Sequence, residues 1–456
     1  MEEVAFLPAT EQARLVAAAE LSSVELVETY LRRIELLDGP LRAFVTVCAD
    51  QAIAEAREPR PGPLGGVPIP IKDLTVTAGI RTTFSCRAFA DNVPSHDAVV
   101  VQKLKSAGAI VIGKTNTPEF GTIPVTESEL NGDCRNPWDL GRTPGGSSGG
   151  AAAAVAAGLA PAAQGTDGGG SVRIPASCCG LVGLKPSRGR ISPAPFLSYE
   201  GLSTSGPLAR TVRDAALLLD VMTGSEPGDR FTLPLPDRPF TEQLDEPPGR
   251  LRIAVTATSP AEHPVDPACR AALDDAAALL ASLGHEVDEA TPPWRDPELP
   301  SAFGHVWRPL PAIYNVEDES LLTPLNRDMI ERARATPSPV FVAASQRLQL
   351  TARAVLRFWA EYDVVLTPTL AVPPVPIGWL FESEEARRSL GLPFTPFTSI
   401  ANVTGQPAMS VPLYWDGDLP IGVQLIGPPE GDGLLLRLAA QLEEARPWAG
   451  RRPPHS

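Results

Sequence analysis

The sequence is poor in the two residue types that most often bind metals or transfer protons. Its 456 residues include only five histidines and six cysteines. The cysteines share no CxxC spacing, and they are Cys48, Cys86, Cys134, Cys178, Cys179 and Cys269. This distribution predicts neither a zinc site nor a disulfide framework. We therefore expect isolated thiols, and nothing in the sequence implies a metal or cofactor.

Long hydrophobic runs and an excess of positive charge are also missing. The longest stretch with few polar groups, residues 149–163, is mostly alanine and glycine and is too short and too weakly apolar to cross a bilayer. The N-terminus, MEEVAFLPATEQARLVAAAE, has acidic residues where a signal peptide has basic ones. The formal net charge of −15 opposes binding to nucleic acid or to an anionic membrane. We expect a cytoplasmic protein with neither partner.

The hydrophobic pattern predicts an α/β fold. A hydrophobic content of 43% with 20% charged residues is ordinary for a globular protein. The spacing over residues 11–57 is helical, with SSVELVETYLRRIELL capped by Ser22 or Ser23. Further along we predict helices over 99–107, 151–157, 205–224, 266–284 and 432–445, a mainly helical segment over 299–360, and strands over 109–116, 252–258, 285–291, 362–370 and 420–427. Such alternation indicates a sheet covered on both faces.

Lys72 lies in an apolar stretch, GGVPIPIKDLTV. An ammonium group in such surroundings loses hydration, which lowers its pKa and makes the neutral amine available as a general base. On this stretch alone, a lysine that reaches the surface or pairs with Asp73 is the favoured interpretation.

A second candidate is the glycine run in QGTDGGGSVRIP. Gly168, Gly169 and Gly170 have no Cβ atoms, so their N–H groups can converge on one point, as an oxyanion hole requires. Ser171 follows at once and is a candidate nucleophile. A glycine loop that only packs against a neighbour is the alternative.

The segment RTPGGSSGGAAAAVAAG contains the nucleophile-elbow pattern G-x-S-x-G, with Ser147 at its centre. That pattern needs a preceding strand, whereas NPWDLGRTP is rich in turn residues. It also needs a downstream Asp and His, and none of the later histidines stands in a context typical of catalysis. A lysine with a lowered pKa can replace histidine as the base for a serine. Lys72, Ser147 and Ser171 offer that arrangement.

These residues resemble the amidase-signature hydrolase family. The resemblance includes GVPIPIKD, GKTNTPEF, the long segment from RNPWDLGRTPGGSSGG to GLKPSRGRIS, PFTSIANVTGQPAMSVP and PIGVQLIG. It covers nearly the whole chain. The family places its two catalytic serines 24 residues apart, which is the separation of Ser147 and Ser171.

The resemblance implies a role for each residue of the candidate site. Ser171 is the nucleophile that becomes acylated, Ser147 is the bridging serine on a cis peptide bond, and Lys72 is the terminal base. The expected oxyanion hole consists of the N–H groups of Gly168, Gly169, Gly170 and Ser171. The expected supporting residues are Asp167 paired with Arg173, together with Ser148 and Asp73.

The resemblance also implies one domain over 1–456 with a central mixed, twisted sheet covered by helices. We expect N-terminal helices in 1–60, the signature core in 66–215, a helical pocket wall in 299–345 and C-terminal strands and a helix in 360–445. Trp307 and Tyr314 either line the pocket or pack in the core.

The implied activity is hydrolysis of small or medium neutral or aryl amides, with carbamates and aryl esters as further substrates, by a monomer or homodimer. The alternatives are the glutaminase-type A subunit of a tRNA-dependent amidotransferase and a non-catalytic scaffold with the same fold.

Overall fold

An eleven-stranded mixed sheet runs through the computed structural model, which describes residues 2–196, 198–382 and 384–456. The strands are β1 (Phe44–Val47), β2 (Pro68–Lys72), β3 (Ile110–Thr115), β4 (Ala162–Asp167), β5 (Val182–Lys185), β6 (Thr204–Ala209), β7 (Arg252–Val255), β8 (Glu286–Glu289), β9 (Val364–Pro368), β10 (Ala408–Asp416) and β11 (Leu419–Ile426). Their order across the sheet is β1, β3, β2, β4, β6, β5, β10, β11, β9, β7, β8. The parallel pairs β3/β2, β2/β4, β9/β7 and β7/β8 flank a central antiparallel block.

Helices flank this sheet, and most connect consecutive strands. They are α1 (Ala9–Ala17), α2 (Ser23–Leu41), α3 (Ala49–Ala56), α4 (Val99–Ser106), α5 (Gly149–Ala156), α6 (Arg173–Cys179), α7 (Val212–Met222), α8 (Phe240–Gln243), α9 (Pro267–Ser282), α10 (Leu299–Trp307), α11 (Pro324–Ala335), α12 (Ser338–Leu356), α13 (Trp379–Glu382), α14 (Glu384–Arg388), α15 (Ser399–Thr404) and α16 (Asp432–Ala445). The single α/β domain with a mixed sheet, predicted above, is confirmed.

Both faces of the sheet are buried. Successive strand residues enter different hydrophobic clusters: in β4, Ala162 packs with the cluster around α7, α9 and α16, whereas Ala163 packs with α5 and α6. In β7, Ile253 packs with the first of these clusters, whereas Ala254 packs with a different cluster that includes residues of α10 and α12. Because side chains alternate across a strand, this division requires helices on both sides.

Several predicted elements have the observed type and nearly the observed bounds. The helix predicted over 266–284 is α9, with Asp266 as its N-cap. The helix within SSVELVETYLRRIELL is α2, and the cap is Ser22, whose hydroxyl accepts from the Glu25 N–H while the Glu25 carboxylate accepts from the Ser22 N–H. This reciprocal pair is a capping box.

Two helical predictions were wrong in part. The segment 205–224 begins with strand β6, and helix α7 starts only at Val212, where the Thr211 hydroxyl accepts from the Asp214 N–H. Gly206 and Pro207 disfavour a helix at this point, and the segment pairs with β4 and β5 instead. The helical segment 11–57 is likewise interrupted by β1, which pairs with β3.

The six cysteines are free thiols, and all but Cys48 are buried. Within the described ranges, no helix has both the length and the apolar character needed to span a membrane.

Candidate active site

Lys72 is the last residue of β2, and its side chain is fully buried. Its Nζ atom hydrogen-bonds to three hydroxyl oxygens, those of Ser147 at 2.7 Å, Ser148 at 2.8 Å and Thr166 at 3.0 Å. Asp73 turns away from the lysine, since its Oδ2 atom accepts from the N–H and the hydroxyl of Thr83. The partners of Lys72 are therefore neutral hydroxyls, and the interpretation of Lys72 as an exposed lysine or an Asp73 partner is wrong.

Burial of the Lys72 ammonium holds its pKa well below the ordinary lysine value, and the charge of Asp167 only partly opposes this. No carboxylate touches Nζ among the described residues, so the charged form gains little in exchange for its lost hydration. A neutral amine can accept a proton. The arrangement therefore places a base next to the Ser147 hydroxyl.

Ser147 and Ser148 lie on the loop that enters α5. The Gly146–Ser147 peptide bond is cis. A Cβ atom on Gly146 would lie 2.7 Å from backbone atoms of Val125, so only glycine fits at this position. The Ser148 hydroxyl donates to the Thr166 carbonyl at 3.1 Å as well as contacting Lys72. The short loop thus presents two hydroxyls to one amine.

Ser171 lies on the turn between β4 and α6. Its carbonyl accepts a 3.2 Å hydrogen bond from the Ser148 N–H, which joins the two serine loops. In the described part of the chain, the Ser171 hydroxyl forms no hydrogen bond, and the N–H groups of Gly168, Gly169 and Ser171 have no acceptor. The Gly170 N–H differs, because it donates to Asp167 Oδ1 at 2.8 Å. Three of the four expected oxyanion-hole donors are therefore available, and the fourth shapes the loop.

Asp167 and Arg173 form a fully buried, two-point ion pair, with Nη2–Oδ1 2.9 Å and Nε–Oδ2 3.0 Å. Arg173 also donates to the Thr398 carbonyl, Gln424 Oε1 and Asn402 Oδ1. Burial alone would raise the pKa of the Asp167 carboxyl, but the charge and hydrogen bonds of Arg173 outweigh it and hold that pKa below its usual range. The pair brackets the glycine loop and ties it to α15 and β11.

Two cavities meet at Ser171. The larger, of about 660 Å³, contains Ser147, Thr166 and Ser171 on its lining. The smaller, of about 320 Å³, lies toward α10 and the segment around α14. Ser171, Gly121 and Trp307 line both. A substrate held across Ser171 would therefore extend one part into each cavity.

Aromatic rings form much of the wall. Trp307 lies at the junction of the cavities, donates from Nε1 to the Thr122 carbonyl at 3.0 Å and stacks on Phe303. Tyr314 lines the larger cavity and stacks on Phe120 with ring centroids 4.1 Å apart. Both residues belong to segment 299–345, which we expected to form a wall of the pocket.

The sequence reasoning missed three contacts of the site. Thr166 directly contacts Lys72, and Asn402 and Gln424 contact Arg173. Asn402 and Gln424 stand in motifs that carry the family resemblance, which is the only signal that could have indicated them. Thr166 also lies in a segment that carries the resemblance, immediately before the aspartate and the glycine run, but nothing in its local pattern reveals its partner.

Comparison with known proteins agrees with the architecture. The family model described as Amidase matches residues 25–436. The chain is 41% identical to a 6-aminohexanoate-cyclic-dimer hydrolase of Paenarthrobacter ureafaciens, over 98% of this chain and 96% of that protein, and 37% identical to an acylamidase of Rhodococcus erythropolis, over 99% and 98%. A solved structure of 6-aminohexanoate cyclic dimer hydrolase with its substrate superposes with a TM-score of 0.94 at 39% identity, covering 99% of both chains.

These similarities distinguish between the branches considered from the sequence. They place the chain with stand-alone hydrolases rather than with the A subunit of a tRNA-dependent amidotransferase. With its fold, its signature segment and its relatives in agreement, the chain belongs to the amidase-signature family of hydrolases that cleave amide C–N bonds.

Proposed function

We propose that the protein hydrolyses small or medium neutral amides, aryl amides among them, through a Ser171–Ser147–Lys72 triad and an acyl-enzyme. The observation that carries the proposal is the 2.7 Å hydrogen bond between Lys72 Nζ and the Ser147 hydroxyl at the edge of the cavity that also contains Ser171. It joins a base to a hydroxyl that can transfer protons.

The proposed first step forms an acyl-enzyme. Ser171 Oγ attacks the amide carbonyl carbon as its proton passes to Ser147 Oγ, and the Ser147 proton passes to neutral Lys72. The negative charge that develops on the carbonyl oxygen is stabilised by the N–H groups of Gly168, Gly169 and Ser171. When the C–N bond breaks, the protons return along the same path, and the amine leaves with the one it needs.

The second step uses the same groups. A water molecule gives its proton through Ser147 to Lys72 and attacks the ester carbonyl, and Ser171 regains its proton as the acid leaves. The contact between the Ser147 and Ser171 hydroxyls is expected to tighten when substrate binds, since catalytic hydrogen bonds are often long in a free enzyme.

The residues that line the cavities and the names of the relatives support amides as the substrate class. The rings of Trp307 and Tyr314 suit aryl and other apolar groups. The names of the relatives, a cyclic-dimer hydrolase and an acylamidase, show that amides of different shape are cleaved by similar chains. We include carbamates and aryl esters in the proposal, because both present an acyl carbonyl next to a comparable leaving group.

A labelling and turnover experiment tests the proposal. The purified protein is treated with a fluorophosphonate probe and assayed on p-nitroanilides, cyclic diamides, carbamates and glutamine, beside Ser171→Ala, Ser147→Ala and Lys72→Ala. We expect labelling and amide turnover by the wild type and neither by Ser171→Ala. A wild type that is unlabelled and turns over nothing would support the non-catalytic scaffold, and turnover of glutamine alone would support the amidotransferase branch.

A further inference from the structure

The smaller cavity beside Ser171 contains a positive charge that nothing in the described protein neutralises. Two arginines, Arg308 and Arg388, line this cavity, and none of its described lining residues is acidic. Arg388 already pairs with Glu384 at 2.6 Å. Arg308 has neither an ion pair nor a side-chain hydrogen bond with any described residue. Its five N–H donors are therefore available to a ligand.

The local sequence directs the Arg308 head group to the cavity. Arg308 follows the last residue of α10, and Gly304 lies one turn earlier. A Cβ atom on Gly304 would lie 3.1 Å from Arg308 Nη1, so the guanidinium rests over that glycine. Both residues line the smaller cavity, as do Phe303 and Trp307 from the same helix. A larger residue at position 304 would displace the charge.

The surroundings leave Arg308 without a counter-charge. Its guanidinium is half buried, and this burial lowers the Arg308 pKa, as does the charge of Arg332, while Asp328 opposes both. Asp328 is itself paired with Arg332 at 2.7 Å. Arginine stays protonated even so. A charged guanidinium facing an apolar cavity favours a carboxylate, which it can bind at two points.

We propose that the smaller cavity binds a carboxylate of the substrate and that Arg308 is the specificity-determining residue for it. The preferred amides then carry a free carboxylate remote from the scissile carbonyl, on the half of the molecule that occupies this cavity. The inference rests on the proposed amide hydrolysis and extends its substrate class from neutral amides to amides with one anionic end.

Paired substrates test this by kinetics. The mono-p-nitroanilides of glutaric and adipic acid are compared with their neutral N,N-dimethylamides, in the wild type, Arg308→Gln and Arg353→Gln. Arg353 is an exposed arginine on α12 outside both cavities, so its variant removes one charge from the same region. For the carboxylate substrates we expect Arg308→Gln to lower kcat/KM by about 10- to 100-fold, mainly through KM. The neutral substrates and the control variant should change little.

A binding experiment separates this inference from the proposed reaction. Ser171→Ala, with and without Arg308→Gln, is titrated calorimetrically with the same amides and with N-benzoyl-5-aminopentanoate, whose carboxylate lies on the amine half. Tighter binding of a carboxylate form that Arg308→Gln abolishes supports the site even if the wild type cleaves nothing. Equal binding of charged and neutral forms, or equal effects of Arg308→Gln on both, would overturn it.

Discussion

The backbone N–H of Ser148 donates a 3.2 Å hydrogen bond to the carbonyl oxygen of Ser171. This bond joins the loop before α5 to the turn before α6, and it holds the loop whose serines contact Lys72 next to the serine that lines both cavities. Since Lys72 reaches the first loop from the end of β2, three separate segments of the chain meet at one point.

Replacing Lys72 should slow catalysis strongly. In the proposed mechanism Lys72 receives the Ser147 proton, so we expect the kcat of Lys72→Met to fall by about 100- to 10,000-fold with a smaller change in KM. The control is the same substitution at Lys114. This lysine is also fully buried at a strand position and hydrogen-bonded to threonine oxygens, but it lies outside both cavities. If Lys72→Met kept most of its kcat, Lys72 would not be the base.

The pH profile of acylation should follow the neutral amine. Burial lowers the Lys72 pKa, so the amine is neutral above that lowered pKa and protonated below it. The rate of fluorophosphonate labelling should therefore reach its plateau at a pH well below the ordinary lysine pKa and fall as the pH drops through the shifted one. A rate that rises only near the ordinary lysine value would show that the amine is charged at neutral pH.

The same burial should make stability depend on pH. The unfolded chain binds a proton at Lys72 more readily than the folded chain, so the free energy of unfolding falls as the pH is lowered from the ordinary lysine pKa toward the shifted one. Urea unfolding of the wild type and Lys72→Met at pH 7 and pH 10 measures this. The wild type should gain stability at pH 10 relative to Lys72→Met, and a constant difference would contradict the lowered pKa.

The buried ion pair should be a stability element whose halves are strongly coupled. Asp167→Asn or Arg173→Met leaves a buried charge unpaired, and we expect a loss of about 3–5 kcal/mol for either. The double variant should lose less than the sum, because it leaves no unpaired charge. Disrupting the exposed Arg332–Asp328 pair is the control and should change little.

The pH dependence of this pair has the same sense as that of Lys72, because both pKa values are lowered on folding, but it falls in an acidic pH range. The Asp167 pKa is depressed on folding, so its contribution is present at neutral pH and is lost only as the pH falls below the usual carboxyl range. Additive losses in the double variant, or a wild-type contribution that disappears between pH 7 and pH 5, would contradict the buried pair as the brace of the glycine loop.

Gly170 should tolerate no side chain. Its φ of +132° is rare for other residues, and a Cβ atom there would lie 2.4 Å from Thr398 Oγ1. Gly228 also has a positive φ, of +102°, but a Cβ atom on it would meet no atom within 4 Å. The loss of stability in Gly228→Ala therefore measures the cost of the backbone conformation alone. We expect Gly228→Ala to lose about 1–2 kcal/mol and Gly170→Ala about 1–3 kcal/mol more. Equal losses would rule out the contact with Thr398.

Part of this site could be predicted from the sequence because its signals are local. The Lys72 motif, the Gly168–Gly170 run and the 24-residue serine spacing are each read within short segments. Helix α9 was equally predictable, since its periodicity and its Asp266 cap agree. Where local signals agreed with tertiary pairing, the prediction matched the structure.

The remainder depends on contacts between distant segments. Residues 205–209 were included in a predicted helix, yet they form β6, because β4 and β5 pair with them on either side. Thr166 meets Lys72 only after β2 and β4 become neighbours. The availability of Arg308 depends on which acidic groups fold near it, and no local pattern contains that information.

The most direct test of the central claim is to locate the acyl group on the enzyme. The protein is quenched with acid during turnover of an aryl amide and digested with trypsin, which releases residues 143–173 as one peptide containing Ser147, Ser148 and Ser171. Fragmentation by tandem mass spectrometry then assigns the added acyl mass. The account predicts that it lies on Ser171. An acyl group on Ser147 or Ser148, or none on this peptide while turnover continues, would contradict it.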